Sequence, residues 1–128
     1  MAMLVLDTDV LIDVQRGHPS ATTWISTLVE PPSVPGLVVM ELIQGAQNTR
    51  QVRAATILTA RYPIIWPTTD DQGRALVDYA RFHLSHRLGL VDALIASCAV
   101  GLAADFCTFN QKHYRVVPGL VTIRPYSR

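Results

Sequence analysis

The sequence predicts an α/β fold, a three-layer α/β/α sandwich around a mostly parallel sheet of about five strands, built as one domain over residues 1–128. Three observations predict it. Short aliphatic runs at 3–6, 36–40, 62–66, 106–109 and 120–125 alternate with segments of helical periodicity. Such alternation builds βα units, with helices covering both faces of a parallel sheet. Apolar residues make up 49% of the 128 positions, and a chain of this length buries roughly two-thirds of its unfolded surface. No repeat, low-complexity run or linker divides it.

"MLVL" (3–6) reads as a buried strand, followed by a short helix from Thr8 to Gln15. "HPSATTWISTLV" carries Pro19 at a helix start and apolar residues at Ala21, Trp24, Ile25 and Leu28, the i, i+3, i+4, i+7 pattern; Pro31 and Pro32 stop it. "GLVVM" (36–40) reads as a second buried strand, and "ELIQG" as a helical turn ended by Gly45. Residues 48–60 form a helix with Val52, Ala55 and Leu58 inward, and "YPIIW" (62–66) a third strand. "TTDDQ" supplies a capping box, Thr69 with Gln72, opening a helix to about Arg87. That helix is expected to bury Leu76, Tyr79, Ala80 and Leu84 and to expose Arg74, Asp78, Arg81 and Ser85. "DALIASCAVGLA" (92–103) is apolar almost all round and reads as a central helix. "FCTF" and "LVTIRP" supply the last strands.

The net charge of +1 neither requires nor excludes a nucleic-acid partner. Ten of the eleven cations are arginine, Lys112 being the one lysine, a bias toward planar contacts with phosphate or carboxylate. Cys98 and Cys107 lie in apolar surroundings and read as reduced core thiols. The N-terminus lacks a basic leader, Asp7 and Asp9 interrupt any apolar core of one, and the apolar stretch 89–102 is too short to span a bilayer. These features lead us to expect a cytoplasmic protein without a membrane partner.

Chemistry enters at the strand ends. Asp7 ends the first aliphatic run in "LVLDTDVLID", Glu41 follows "GLVVM", Asp92 opens the apolar helix and Asn110 follows "FCTF". In parallel sheets, ligands bind beyond the carboxyl ends of the strands. Each acid alone also suits a helix start, where the macrodipole favours negative charge. Together they imply desolvated like charges, and two such charges ~5 Å apart repel by about 3 kcal/mol at an effective dielectric of ~20. Such a cluster takes up protons or binds a hard divalent cation, Mg²⁺ or Mn²⁺. The histidines at 18, 83, 86 and 113 show no metal-ligand spacing.

"LVLDTDVLID", "VVMELIQGA" and "LGLVDALIASCAVGLAADFCTFNQKHYRVVPGL" together resemble the PIN-domain ribonucleases, and closely the VapC-type toxins of toxin–antitoxin pairs, over essentially the whole chain. The resemblance implies a parallel α/β/α sandwich and a Mg²⁺- or Mn²⁺-dependent endoribonuclease. Asp7, Glu41 and Asp92 then hold the cation, and Asn110 stands where many relatives carry a fourth acid, which puts a full second metal site in doubt. Asp9 is either a partial substitute for that acid or a helix first-turn residue. Thr8 and Thr108 are placed to bond the carboxylates or the scissile phosphate, and equally fit as ordinary strand-end threonines. Arg16, Arg87, Lys112, His113 and Arg115 lie near the expected rim, where RNA backbone contact competes with plain solvation. The resemblance also implies RNA as substrate, a cognate antitoxin and a homodimer, for which the apolar faces at 19–29 and 48–60 serve as well as for the core.

Two other readings stand beside it. The start also resembles haloacid-dehalogenase-type phosphotransferases, in which Asp7 would be a nucleophile. That chemistry needs a lysine and a further acidic pair, whereas Lys112 lies inside the PIN-like block and Asp70–Asp71 opens a capped helix. The other is a PIN-like binder of RNA or a partner that no longer cuts, with Asn110 as a trace of decay.

Overall fold

Five short parallel strands form the sheet of the computed structural model, which describes residues 3–128. They are β1 (Leu4–Leu6), β2 (Val34–Pro35), β3 (Ile64–Ile65), β4 (Asp105–Cys107) and β5 (Val121–Ile123). β1 pairs with β4 in register Leu4↔Asp105 to Leu6↔Cys107, and β4 with β5 from Asp105↔Val121 to Cys107↔Ile123. β2 pairs with β3 separately. A parallel bridge between Val5 and Ser33 joins the two pieces, with the Leu6 and Ser33 amides donating to Ser33 and Leu4 carbonyls at 3.0 and 2.9 Å. The strand order is therefore β3-β2-β1-β4-β5.

The helices are α1 (Thr8–Gln15), α2 (Pro19–Thr27), α3 (Gly36–Gln44), α4 (Thr49–Thr59), α5 (Thr69–His86), α6 (Leu90–Gly101) and the single turn α7 (Gln111–Tyr114). The architecture is the expected α/β sandwich. Its core gathers Val5, Leu6, Val10, Leu11, Ile95 and Phe106, all fully buried. Along α6, every residue from Ile95 to Ala99 is buried, as its all-round apolar sequence requires. Cys98 and Cys107 are buried and unpaired, and burial pushes their thiols up to about 11 and about 12.

Three expectations are corrected. Residues 36–40, read as a strand, are the first half of α3; the strand is the two residues before it, Val34–Pro35. A short apolar run buried on most sides does not distinguish the two periods. In α3 the buried set is Gly36, Val38 and Leu42, with Met40 and Gln44 exposed, a helical distribution. The capping box of α5 is Thr68 with Asp71, one residue before the expected pair. The Thr68 hydroxyl accepts the Asp71 amide at 3.1 Å, and the Asp71 carboxylate accepts the Thr68 amide at 3.0 Å.

The third correction concerns which faces are inward. Leu76 and Leu84 are 69% and 91% exposed, while Ala75 is buried and Tyr79 and Phe82 are half-buried. Apolar residues run round much of α5, so two stripes fit the sequence, and packing on α6 selects 75-79-82. Arg74 and Asp78 are accordingly half-buried rather than exposed. In α4, Val52 is exposed and Thr59 joins Ala55 and half-buried Leu58 on the inward face. No helix among the described residues is long and apolar enough to cross a membrane.

Candidate active site

Parallel strands put all their carboxyl ends on one edge, and β1 and β4 are neighbours there. The Asp7 amide extends the ladder by donating to the Cys107 carbonyl at 3.0 Å, and the Thr108 amide donates to Ile123 at 3.1 Å. Asp7 then leaves the strand as the N-cap of α1, its Oδ1 accepting the Thr8 amide at 2.8 Å. Its Oδ2 accepts the Thr108 hydroxyl, also at 2.8 Å. Asp9 bridges the same two segments: Oδ1 accepts the Val10 amide at 2.8 Å and Oδ2 the Phe109 amide at 2.9 Å.

Burial pushes the Asp7 carboxyl up to about 7, helped by the charges of Asp9 and Asp92 and opposed by the Thr108 and Thr8 hydrogen bonds. Burial also raises Asp9, against the Phe109 and Val10 amides that hold it down.

Glu41 lies in the second turn of α3, not the first, because α3 starts at Gly36. The Thr8 hydroxyl donates to its Oε1 at 2.8 Å, tying α3 to the start of α1. Asp92 is the third residue of α6, following the Gly89 N-cap. A Cβ on Gly89 would lie 2.8 Å from Asp92 Oδ2, so glycine leaves that oxygen room. Oδ1 accepts the Tyr114 hydroxyl at 3.1 Å, and Oδ2 lies 3.2 Å from His113 Nε2. Asp7, Asp92 and Glu41 all act electrostatically on the Tyr114 phenol, raising it well above the ordinary tyrosine range together with burial, the largest cause. The three acids thus face one region from three elements.

Among the described residues, no arginine or lysine forms a salt bridge with any of the three. Nor do any three His, Cys, Asp or Glu side chains form a ready-made ligand set. All-oxygen donors, an uncompensated carboxylate pushed up to about 7 and an incomplete cage fit a hard cation that keeps several waters, such as Mg²⁺.

The remaining sequence-predicted residues divide. Thr108 is fully buried and donates its hydroxyl to Asp7, the carboxylate alternative of the two expected for it, rather than facing out as an RNA contact. Asn110 is exposed; its amide donates to Thr108 Oγ1 at 3.0 Å, and its side chain does not cap α7. Lys112 and Arg87 are exposed, the latter closing α5 with φ 55°. Exposed Arg16 caps the end of α1 and lines, with Glu41, Ile12, Leu42, Gln47 and Gln51, a cleft of about 450 Å³ between α1, α3 and α4. Asp71 and Arg74 pair at the start of α5, a structural use that leaves the phosphotransferase reading without its second acidic pair. Sequence reasoning missed Tyr114. Its signal was a hydroxyl at an otherwise apolar position of "QKHYRVVPGL".

The family model described as "PIN domain" matches residues 4–117. Ribonuclease VapC19 of Mycobacterium tuberculosis is 30% identical over 124 residues, covering 92% of this chain and 97% of the relative. Two solved structures share the fold. A toxin–antitoxin complex from Klebsiella pneumoniae superposes with a TM-score of 0.78 at 23% identity, over 98% of this chain and 99% of that one. DNA-bound VapBC from Salmonella typhimurium gives 0.80 at 21% identity, over 96% and 98%. By the match of the family model over residues 4–117 and the 30% identity to Ribonuclease VapC19, the chain belongs to the PIN-domain family, among the VapC-type proteins.

Proposed function

We propose that this protein is a metal-dependent endoribonuclease, the toxin of a toxin–antitoxin pair, cutting RNA at the edge formed by Asp7, Glu41 and Asp92. The observation that carries the reading is the convergence of three carboxylates with no arginine or lysine paired to them among the described residues, one of them pushed up to about 7, in a relative of Ribonuclease VapC19.

Asp7 and Asp92 would hold Mg²⁺ or Mn²⁺, directly or through water, with Glu41 completing the set or accepting a proton. The bound cation supplies positive charge against the phosphate and lowers the pKa of water. The chain's residues do the rest. Thr108 and the Thr8 amide fix both oxygens of Asp7, so its orientation is set before RNA arrives. The Thr8 hydroxyl fixes Glu41 Oε1 and leaves Oε2 either to complete the cation set or to take the proton of the attacking water. Water adds to phosphorus as the P–O3′ bond breaks, and the departing 3′-oxygen takes a proton from solvent, giving 5′-phosphate and 3′-hydroxyl ends. Arg16, Arg87, Lys112 and Arg115 are exposed and supply backbone phosphate contacts. Asn110 adds polarity at the rim without charge, which favours one fully held cation.

The partners follow the same reading. The cleft beside Glu41 suits an antitoxin segment with an apolar residue toward Ile12 and Leu42 and a basic residue toward Glu41. A second copy of the chain is proposed to cover exposed apolar side chains such as Leu76 and Leu84 of α5. An RNA target inside the cell places the protein in the cytoplasm.

The test is cleavage of total RNA by purified, antitoxin-free protein in Mg²⁺, Mn²⁺ or EDTA, beside Asp7→Asn, with fragment ends mapped. Discrete metal-dependent cuts with 5′-phosphates are expected, reduced at least 100-fold in Asp7→Asn. Intact RNA in every metal would favour the non-cutting binder, and unchanged cleavage by Asp7→Asn would reject the site.

A further inference from the structure

We propose that Tyr114 is a positioning residue for the cation site: its hydroxyl holds Asp92 Oδ1 and thereby fixes Oδ2 as the oxygen offered to the cation. The proposal rests on the reading of Asp7, Glu41 and Asp92 as the cation-holding acids and adds a residue from the chain's last helical turn.

Tyr114 is 2% exposed, and its ring packs edge-on against Phe106 of β4, centroids 5.0 Å apart at 78°. The hydroxyl therefore has one available direction, and along it lies Asp92 Oδ1 at 3.1 Å. The phenol O–H is a donor and the carboxylate oxygen an acceptor, so the contact is a hydrogen bond from Tyr114 to Asp92. The bond matters because a carboxylate's terminal torsion is broad and poorly defined by its own rotamer. Without the Tyr114 hydroxyl, Oδ1 loses its donor and Asp92 keeps only the His113 contact at Oδ2, 3.2 Å away.

The opposite oxygen has different surroundings. Oδ2 faces the bare backbone of Gly89 and the imidazole of His113, with the Asp92 and His113 side chains 33% and 22% exposed. Tyr114 thus holds the carboxylate from inside while the outer oxygen stays reachable. Partners that orient a metal-holding carboxylate are worth roughly 10–100-fold in metal affinity or activity.

Tyr114→Phe removes one oxygen and keeps the ring against Phe106. The decisive measurement is Mn²⁺ affinity of RNA-free protein, read from the electron paramagnetic resonance of free Mn²⁺, with Tm and RNA cleavage measured alongside. Mn²⁺ binding is expected to weaken about 10-fold or more, with metal-free Tm close to wild type and cleavage recovering as Mn²⁺ is raised. In an Asp92→Asn background the same change should cost no further affinity. Unchanged Mn²⁺ affinity, an equal further loss in that background, or loss of the fold would overturn the proposal. Wild-type protein that binds Mn²⁺ yet leaves RNA intact would remove the ribonuclease reading and leave the role of Tyr114 standing, provided the affinity difference is seen.

Discussion

Asp7 uses one oxygen to cap α1 and gives the other to Thr108, so the residue that ends β1 also builds the acidic edge. Asp9 does the same between α1 and Phe109. Both are buried enough that their charged forms are disfavoured, and the Asp9 charge adds to the cost at Asp7. For Asp7 the sign is clear. Its carboxyl titrates near 7 in the folded protein and near 4 in the unfolded chain, so its contribution to stability falls as pH rises between those values. On the proposed cation reading, a bound divalent cation would reverse that loss. Asparagine is as good an N-cap as aspartate, so metal-free Asp7→Asn should be at least as stable as wild type at pH 8. The gain should be about 1 kcal/mol or more, which raises Tm by ~3–5 °C in a domain of this size. Mn²⁺ should raise the wild-type Tm and leave that of Asp7→Asn nearly unmoved. A variant several degrees less stable than metal-free wild type would show that the Asp7 charge supports the fold.

At the scale of elements, what the sequence made legible depended on whether one physical signal acted alone. α6 was readable because an all-round apolar helix has one destination, the core. The places of Asp7 at the end of β1 and of Asp92 in the first turn of α6 were readable because each stands at the boundary of an apolar segment. The "GLVVM" segment was not, since Val38 and Val39 favour a strand while Gly36, Val38 and Leu42 make the buried face of a helix. α5 failed for a related reason: its apolar residues outnumber the places α6 can cover, and only tertiary packing chose between stripes. Its start shows the same competition at one residue's resolution. Thr68 and Thr69 are both suitable caps, and the three-residue spacing fits Thr68–Asp71 as well as Thr69–Gln72. The observed reciprocal bonds belong to Thr68, whose partner Asp71 also receives the Ser97 hydroxyl on its carbonyl at 2.6 Å, linking α5 to α6. Thr68→Ala should therefore cost about 1 kcal/mol in urea unfolding, and Thr69→Ala less than half of that. Equal costs would mean that the cap adds nothing beyond the local helix preference.

Across the whole molecule, the acidic edge is braced by contacts far apart in sequence. Asp13, on the buried side of α1, accepts the Tyr126 hydroxyl at 2.8 Å and the Arg128 guanidinium at 3.0 and 3.1 Å. Arg128 in turn lies over the Phe109 ring, 4.3 Å from its centroid, and Tyr126 packs on Phe109 and Trp24. The segment after β5 thus clasps α1, α2 and the 108–110 turn, the turn whose backbone holds Asp9. Arg128 and Tyr126 hold the Asp13 carboxyl below the usual carboxylate range, outweighing its burial. A depressed acid stabilises the fold above the unfolded carboxylate pKa and loses that contribution as pH falls through its folded value. Asp13→Asn should accordingly destabilise the protein by about 1–3 kcal/mol at pH 7, and the gap to wild type should narrow below pH ~4. Amide exchange carries the structural half of the prediction, because a loosened clasp frees the Phe109 amide from Asp9 and should raise exchange over 108–110 before that of β1. A stability gap constant from pH 7 down to pH ~2.5, with exchange over 108–110 unchanged, would mean that Asp13 acts through packing and that the acidic edge does not depend on the clasp.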